Sequence, residues 1–148
     1  MTNKLALALS FTASAALIAA SAIASAAQGG VKLHTTLTGA AEVPGPGDTD
    51  ARGTASVTVN SGQKQVCYKI SVSNIDAATM AHIHHGAAGV AGPVVVGLTA
   101  PNAAGNASGC ATVTRTLALD ILKHPAAYYV NVHNAAFPNG AARGQLRK

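Results

Sequence analysis

The chain has 148 residues, ten basic and five acidic side chains, and a formal net charge of +5. It has no Trp, only three Tyr and two Phe, and its cations form no dense run, which excludes the basic, aromatic-rich face of a typical nucleic-acid reader. This length supports one modest hydrophobic core.

Met1 to Lys4 is a short cationic opening, and the run from Leu5 to Ala24 carries no charge and ends in the small-x-small pattern Ala24-Ser25-Ala26. This is the pattern of a secretory signal peptide over residues 1–26, cleaved after Ala26 or Ala27. A membrane anchor is the weaker reading, because the run is rich in Ala and Ser and no basic stop follows it. No later segment is apolar enough to span, so the expected mature form has no membrane span. Cleavage removes Lys4 alone, leaving nine basic residues against five acidic ones, a net +4. The expected setting is exported, periplasmic or extracellular.

From residue 31 onward the chain reads as short strands and turns forming one domain, 31–148. Val31 to Leu37 is the first strand, followed by a Gly/Pro-rich loop through Pro44 and Pro46. Gly53 to Val59 alternates cleanly, Asn60 to Gln63 turns, and Gln65 to Ser73 returns as a hairpin. Ile75 to Met80 reads as a connector with a turn of helix. Ala81 to His85 is the next strand and Val94 to Leu98 a β-branched run of the kind covered on both faces. Pro101 to Gly109 is a polar loop and Cys110 to Thr114 a strand. Leu117 to Leu122 has helical spacing and stops at His124-Pro125. Tyr128 to His133 and Ala141 to Leu146 are the closing strands, joined by a turn at Pro138-Asn139-Gly140. Regular short strands with one small helix indicate an all-β antiparallel fold, an immunoglobulin-like or Greek-key sandwich or barrel.

Two cysteines in an exported chain are expected to pair. Cys67 lies on the Lys69/Ser71 face of its strand and Cys110 on the Thr112/Thr114 face, so both thiols point away from the core. A Cys67–Cys110 disulfide would staple two segments from outside.

Reactive side chains gather at Ala81-His82-Ile83-His84-His85-Gly86. On a strand His82 and His84 share one face, about 6.6–6.8 Å apart at Cα. Neutral imidazole suits copper and zinc, which take several nitrogen ligands. His133 is the natural third, because Val130 and Val132 take the core face and leave His133 with Asn131 and Tyr129 on the other. His34 or His85 would be the extra ligand. His124, at the helix end, is a C-terminal cap interacting with the helix dipole. Glu42 and Arg143 are lone charges among small residues and are expected to form a half-buried structural ion pair. No serine sits in a nucleophile elbow and no close pair of carboxylates serves acid/base work.

Leu37-Thr38-Gly39 with Glu42-Val43-Pro44, Ala81-His82-Ile83-His84, Gly92-Pro93-Val94-Val95, Tyr129-Val130-Asn131-Val132-His133 and Pro138 to Leu146 occur in an order that resembles the CHRD domain, from about Leu33 to Leu146. That family is named for the module repeated in chordin and also occurs as single-domain exported bacterial proteins. Ala141-Ala142 stand where the family usually has an acidic residue, so no carboxylate role falls to that hairpin. The resemblance implies an immunoglobulin-like or Greek-key β-fold and an extracellular or periplasmic setting. The His-x-His strand is also superficially similar to copper-zinc superoxide dismutase, without its full set of bridging and zinc ligands. Three functions follow as expectations. The first is a non-enzymatic binding module for copper or zinc or for an extracellular or envelope protein. The second is a copper-dependent redox enzyme of dismutase type, and the third a purely structural interaction domain.

Overall fold

Alternating apolar and polar residues in short runs bounded by Gly, Pro and Asn leave this chain one economical solution, a curved antiparallel sheet with its apolar side turned inward. The computed structural model describes residues 29–148, so the leader read over residues 1–26 lies outside the described residues. Eight strands follow: β1 (Val31–Thr38), β2 (Arg52–Asn60), β3 (Gln65–Ser73), β4 (Ala78–His85), β5 (Val94–Leu98), β6 (Asn106–Thr112), β7 (Tyr128–Asn134) and β8 (Ala142–Gln145). One helix, α1 (Arg115–Lys123), links β6 to β7. The strands form a single sheet in the order β5-β4-β7-β8-β1-β2-β3-β6, every pairing antiparallel.

The sheet curls into a nearly closed barrel. Its interior holds Leu33 and Leu37 of β1, Val57 of β2, Val66 and Ile70 of β3, Ile83 of β4, and Val130 and Val132 of β7. Helix α1 adds Ala118 and Ile121 to the same core. Thr114 starts that helix, its hydroxyl accepting from Leu117 N at 3.1 Å, so residues 113–114, expected as strand, serve as the approach and cap of a helix instead. A tyrosine ties the two ends of the sheet together. Tyr68 Oη on β3 accepts from Thr99 N at 2.8 Å and donates to Thr99 Oγ1 at 2.9 Å, just beyond β5.

The structure corrects three further local expectations. Residues 78–80 are strand and not helix, because Ala78 pairs with Asn134 and Met80 with His133. Strand β5 is an edge: it has β4 on one side only, and Val94 is 50% exposed, so its β-branched run is not covered on both faces. Strand β6 begins at Asn106, inside the expected loop, because Asn106 already pairs with Ser71.

The expected disulfide is formed. Cys67 and Cys110 are directly opposed in the β3–β6 ladder and bonded on the outer face of the barrel. Such a bond fits an oxidising compartment.

Candidate metal centre

The outer face of β4, β7 and β8 departs from the usual solvated exterior. Strand β7 is buried at all seven positions, Tyr128 to Asn134, because the barrel interior covers one side and loops fold over the other. The covering segments are the loop between β1 and β2, the loop between β4 and β5, and the turn between β7 and β8. Alternation sends Tyr128, Val130 and Val132 inward and sets Tyr129, Asn131 and His133 under those loops, with His82 and His84 beside them from β4.

The backbone register brings the histidines together. His82 faces Asn131 and His84 faces Tyr129, which leaves His133 diagonal to His82. His82 Nδ1 lies 3.1 Å from His133 Nε2. Ligand-capable nitrogens of His82, His84 and His133, one from each ring, all lie within 4.8 Å of one another. Two nitrogens bound at about 2.0–2.1 Å to a tetrahedral ion are roughly 3.3 Å apart, so one pair already has that spacing and the third ring needs only to draw in.

The outer nitrogens are tied down. His84 Nδ1 lies 2.9 Å from the Gly92 carbonyl oxygen and His133 Nδ1 lies 3.0 Å from that of Pro138. A carbonyl only accepts, so each Nδ1 carries the proton and the Nε2 of each neutral ring carries a lone pair, which at His133 accepts from His82 Nδ1. Metal-ligating histidines are oriented in this way, by donating the other ring N–H to a backbone carbonyl. His84 Nε2 is buried with no hydrogen-bond partner. Burial holds all three imidazoles below the ordinary histidine pKa, helped at His82 by repulsion from His133 and His84, and at His84 by repulsion from His133 and Arg143 that the Gly92 hydrogen bond opposes. The rings are therefore neutral near pH 7, the form in which imidazole binds metal.

Tyr129 and Arg143 wall the site. The His84 ring stacks on Tyr129 with centroids 4.7 Å apart, and the Arg143 guanidinium carbon lies 3.4 Å from the centroid of the same ring. Arg143 donates to Val90 O at 2.9 Å, to Ala87 O at 2.8 Å and to Gln145 Oε1 at 3.0 Å. Glu42 accepts Asn131 Nδ2 on both carboxylate oxygens, each at 2.9 Å. The expected Glu42–Arg143 salt bridge is thus not formed. The arginine directs its donors to the β4–β5 loop and Gln145, and Asn131, the β7 neighbour of Arg143, donates its side-chain amide to the Glu42 carboxylate instead. Glu42 feels Arg143 at longer range, yet desolvation dominates and its pKa is pushed up to about 7.

The remaining histidines lie elsewhere. His34 is exposed on β1, opposite Ser56, and His85 is exposed with its ring 5.0 Å from that of Tyr128. Neither joins the cluster: His34 lies four positions along β1 from Thr38, the partner of Arg143, and pairs instead with Arg147, while His85 leaves β4 on the side opposite His82 and His84. His124 stands at the C-cap of α1 as expected, and its Nδ1 is 3.0 Å from Asp120 Oδ1.

All of these site residues fall within positions 33–146, which match the family model of the CHRD domain. The chain belongs to the CHRD-domain family. No curated protein and no solved structure matches it. The CHRD assignment supports a binding module, and no helix among the described residues of this CHRD domain is long and apolar enough to cross a membrane.

Proposed function

We propose that this CHRD domain is an exported, non-enzymatic binding module that holds one copper or zinc ion through His82, His84 and His133. One observation carries the reading: three neutral imidazoles converge on one point, with a buried, unpartnered Nε2 on His84 and carbonyl-anchored Nδ1 atoms on His84 and His133. An unsatisfied buried nitrogen costs about 1–3 kcal/mol, which an ion would recover. The disulfide supports the exported setting.

The test is metal titration of purified protein. One equivalent of copper or zinc should bind tightly to the native chain, and His84→Ala and His133→Ala should each abolish the tight complex. A native chain that forms no stoichiometric complex with either ion sinks the reading and leaves a structural interaction domain. His82 is only half-buried, so one side of the cluster faces solvent, the opening a copper-dependent dismutase needs. Superoxide consumption that vanishes with a chelator would favour that enzyme over a binding module.

A further inference from the structure

Strand β4 carries a fourth, softer donor on the histidine face. Met80 precedes His82 by two residues, so both side chains leave the strand on the same side. Met80 is also the direct cross-strand partner of His133. Directly opposed residues of an antiparallel pair hold their Cβ atoms about 4.5–5.5 Å apart. A flexible thioether can swing across that gap toward the imidazole it faces. Met80 is 45% exposed, so its apolar side chain gains little from burial where it stands.

Charge points to the kind of ion. The three histidines are neutral donors, and the Glu42 carboxylate under the same loops is bonded to Asn131 and stands outside the cluster. On the flank away from Met80, the Arg143 guanidinium lies over the Tyr129 ring on which His84 stacks, which sets a fixed positive charge beside the site. Coulomb repulsion from that charge is twice as large for a divalent ion as for a monovalent one at the same position. Thioether sulfur is a soft ligand that selects Cu(I), and imidazole accommodates it.

Building on the three-histidine reading, we propose that the ion taken up is monovalent copper, with the Met80 sulfur as its fourth donor on the solvent side. This makes the module selective for Cu(I) over Zn(II), and Met80 the residue that sets the selectivity.

The experiment compares native protein with Met80→Leu, a change that keeps volume on a half-exposed strand position and leaves the fold intact. Cu(I) is titrated without oxygen against a chromophoric chelator, Zn(II) in parallel, and X-ray absorption of the Cu(I) form reports any sulfur neighbour. The native chain should bind Cu(I) one to one with a sulfur in its coordination shell. Met80→Leu should lose that sulfur and roughly tenfold or more in Cu(I) affinity, at least what loss of an outer partner costs a metal site, with Zn(II) affinity unchanged. Equal Cu(I) affinity in the two proteins, equal losses for both ions, or no sulfur signal in the native chain would each overturn the role of Met80 while leaving the three-histidine site standing. Failure of the native chain to bind either ion would instead remove the site itself.

Discussion

The guanidinium carbon of Arg143 lies 3.4 Å from the centroid of the Tyr129 ring, in the layer that also holds His84. Arg143 is 1% exposed and bonds two carbonyls of the β4–β5 loop, so one side chain from the closing hairpin fixes the loop whose Gly92 carbonyl orients His84. Arg143→Lys keeps the charge but loses the planar fork and the stacking. It should cost about 2–4 kcal/mol, from weakened cation–π contact and unpaired carbonyls. Urea denaturation of the two proteins measures this, and a loss under about 0.5 kcal/mol, the scale of an ordinary surface change, would contradict it.

Gly92 is the tightest point of that loop. A Cβ built there would meet the His85 carbonyl oxygen at 1.7 Å, so Gly92→Ala must displace the backbone. The displaced carbonyl no longer holds His84 Nδ1, and metal affinity should fall roughly 10–100-fold, as for loss of an outer hydrogen-bond partner. Gly89→Ala, in the same loop with open space around its Cβ but a φ of +77°, serves as a control for backbone strain alone. Equal affinities for the Gly92 variant and the native chain would detach the loop from the site.

The Cys67–Cys110 bond closes a separation of 43 residues on the opposite part of the sheet from the histidines. Its removal by a double Cys→Ala change should cost about 2–4 kcal/mol of stability. Metal stoichiometry should stay the same, because no site residue lies on β3 or β6. Thermal unfolding and titration on one preparation check both halves.

Glu42 and the histidines push the pH dependence of stability in opposite directions. The Glu42 pKa rises from 4.5 to about 7 on folding, so the folded state binds more protons and Glu42 makes stability fall as pH rises from 4.5 to 7. The histidine pKa values are lowered from 6.5, so below that pH the unfolded chain binds more protons and the fold weakens on acidification. Glu42→Gln removes only the first trend. Its stability should drop more steeply than that of the native protein between pH 6.5 and 4.5, followed by denaturation at several pH values without metal. Parallel curves would show that Glu42 does not titrate as its burial dictates.

Thr114 accepts from Leu117 N at the start of α1. Thr114→Ala should destabilise by about 1 kcal/mol, with Thr114→Ser close to native. Chemical denaturation midpoints separate the two.

Much of the centre could be read from spacing alone. Period-two alternation puts His82 beside His84, and Val130 and Val132 on the core side fix the face His133 must take; the register then supplied the diagonal contact. Loop placement was not legible. No local signal in Ala87 to Gly92 or in Pro138 says that these segments fold back over the sheet and lend their carbonyls to His84 and His133. The same gap hid the partners of Arg143, because lone opposite charges suggest each other whereas backbone carbonyls carry no residue-type signature. Met80 reads as a connector in the sequence because its strand character comes wholly from pairing with His133, a neighbour 53 positions away.

The clasp between Tyr68 and Thr99 is made by a phenol, where a backbone ladder would otherwise close the cylinder. Tyr68→Phe would unlatch it and free the β5 and β6 borders, already unpaired in the native sheet, each a row of amide and carbonyl groups on which another chain can add. The vulnerable line of this molecule therefore runs along its hinge-like join, away from the ion-holding layer, and self-association should begin there.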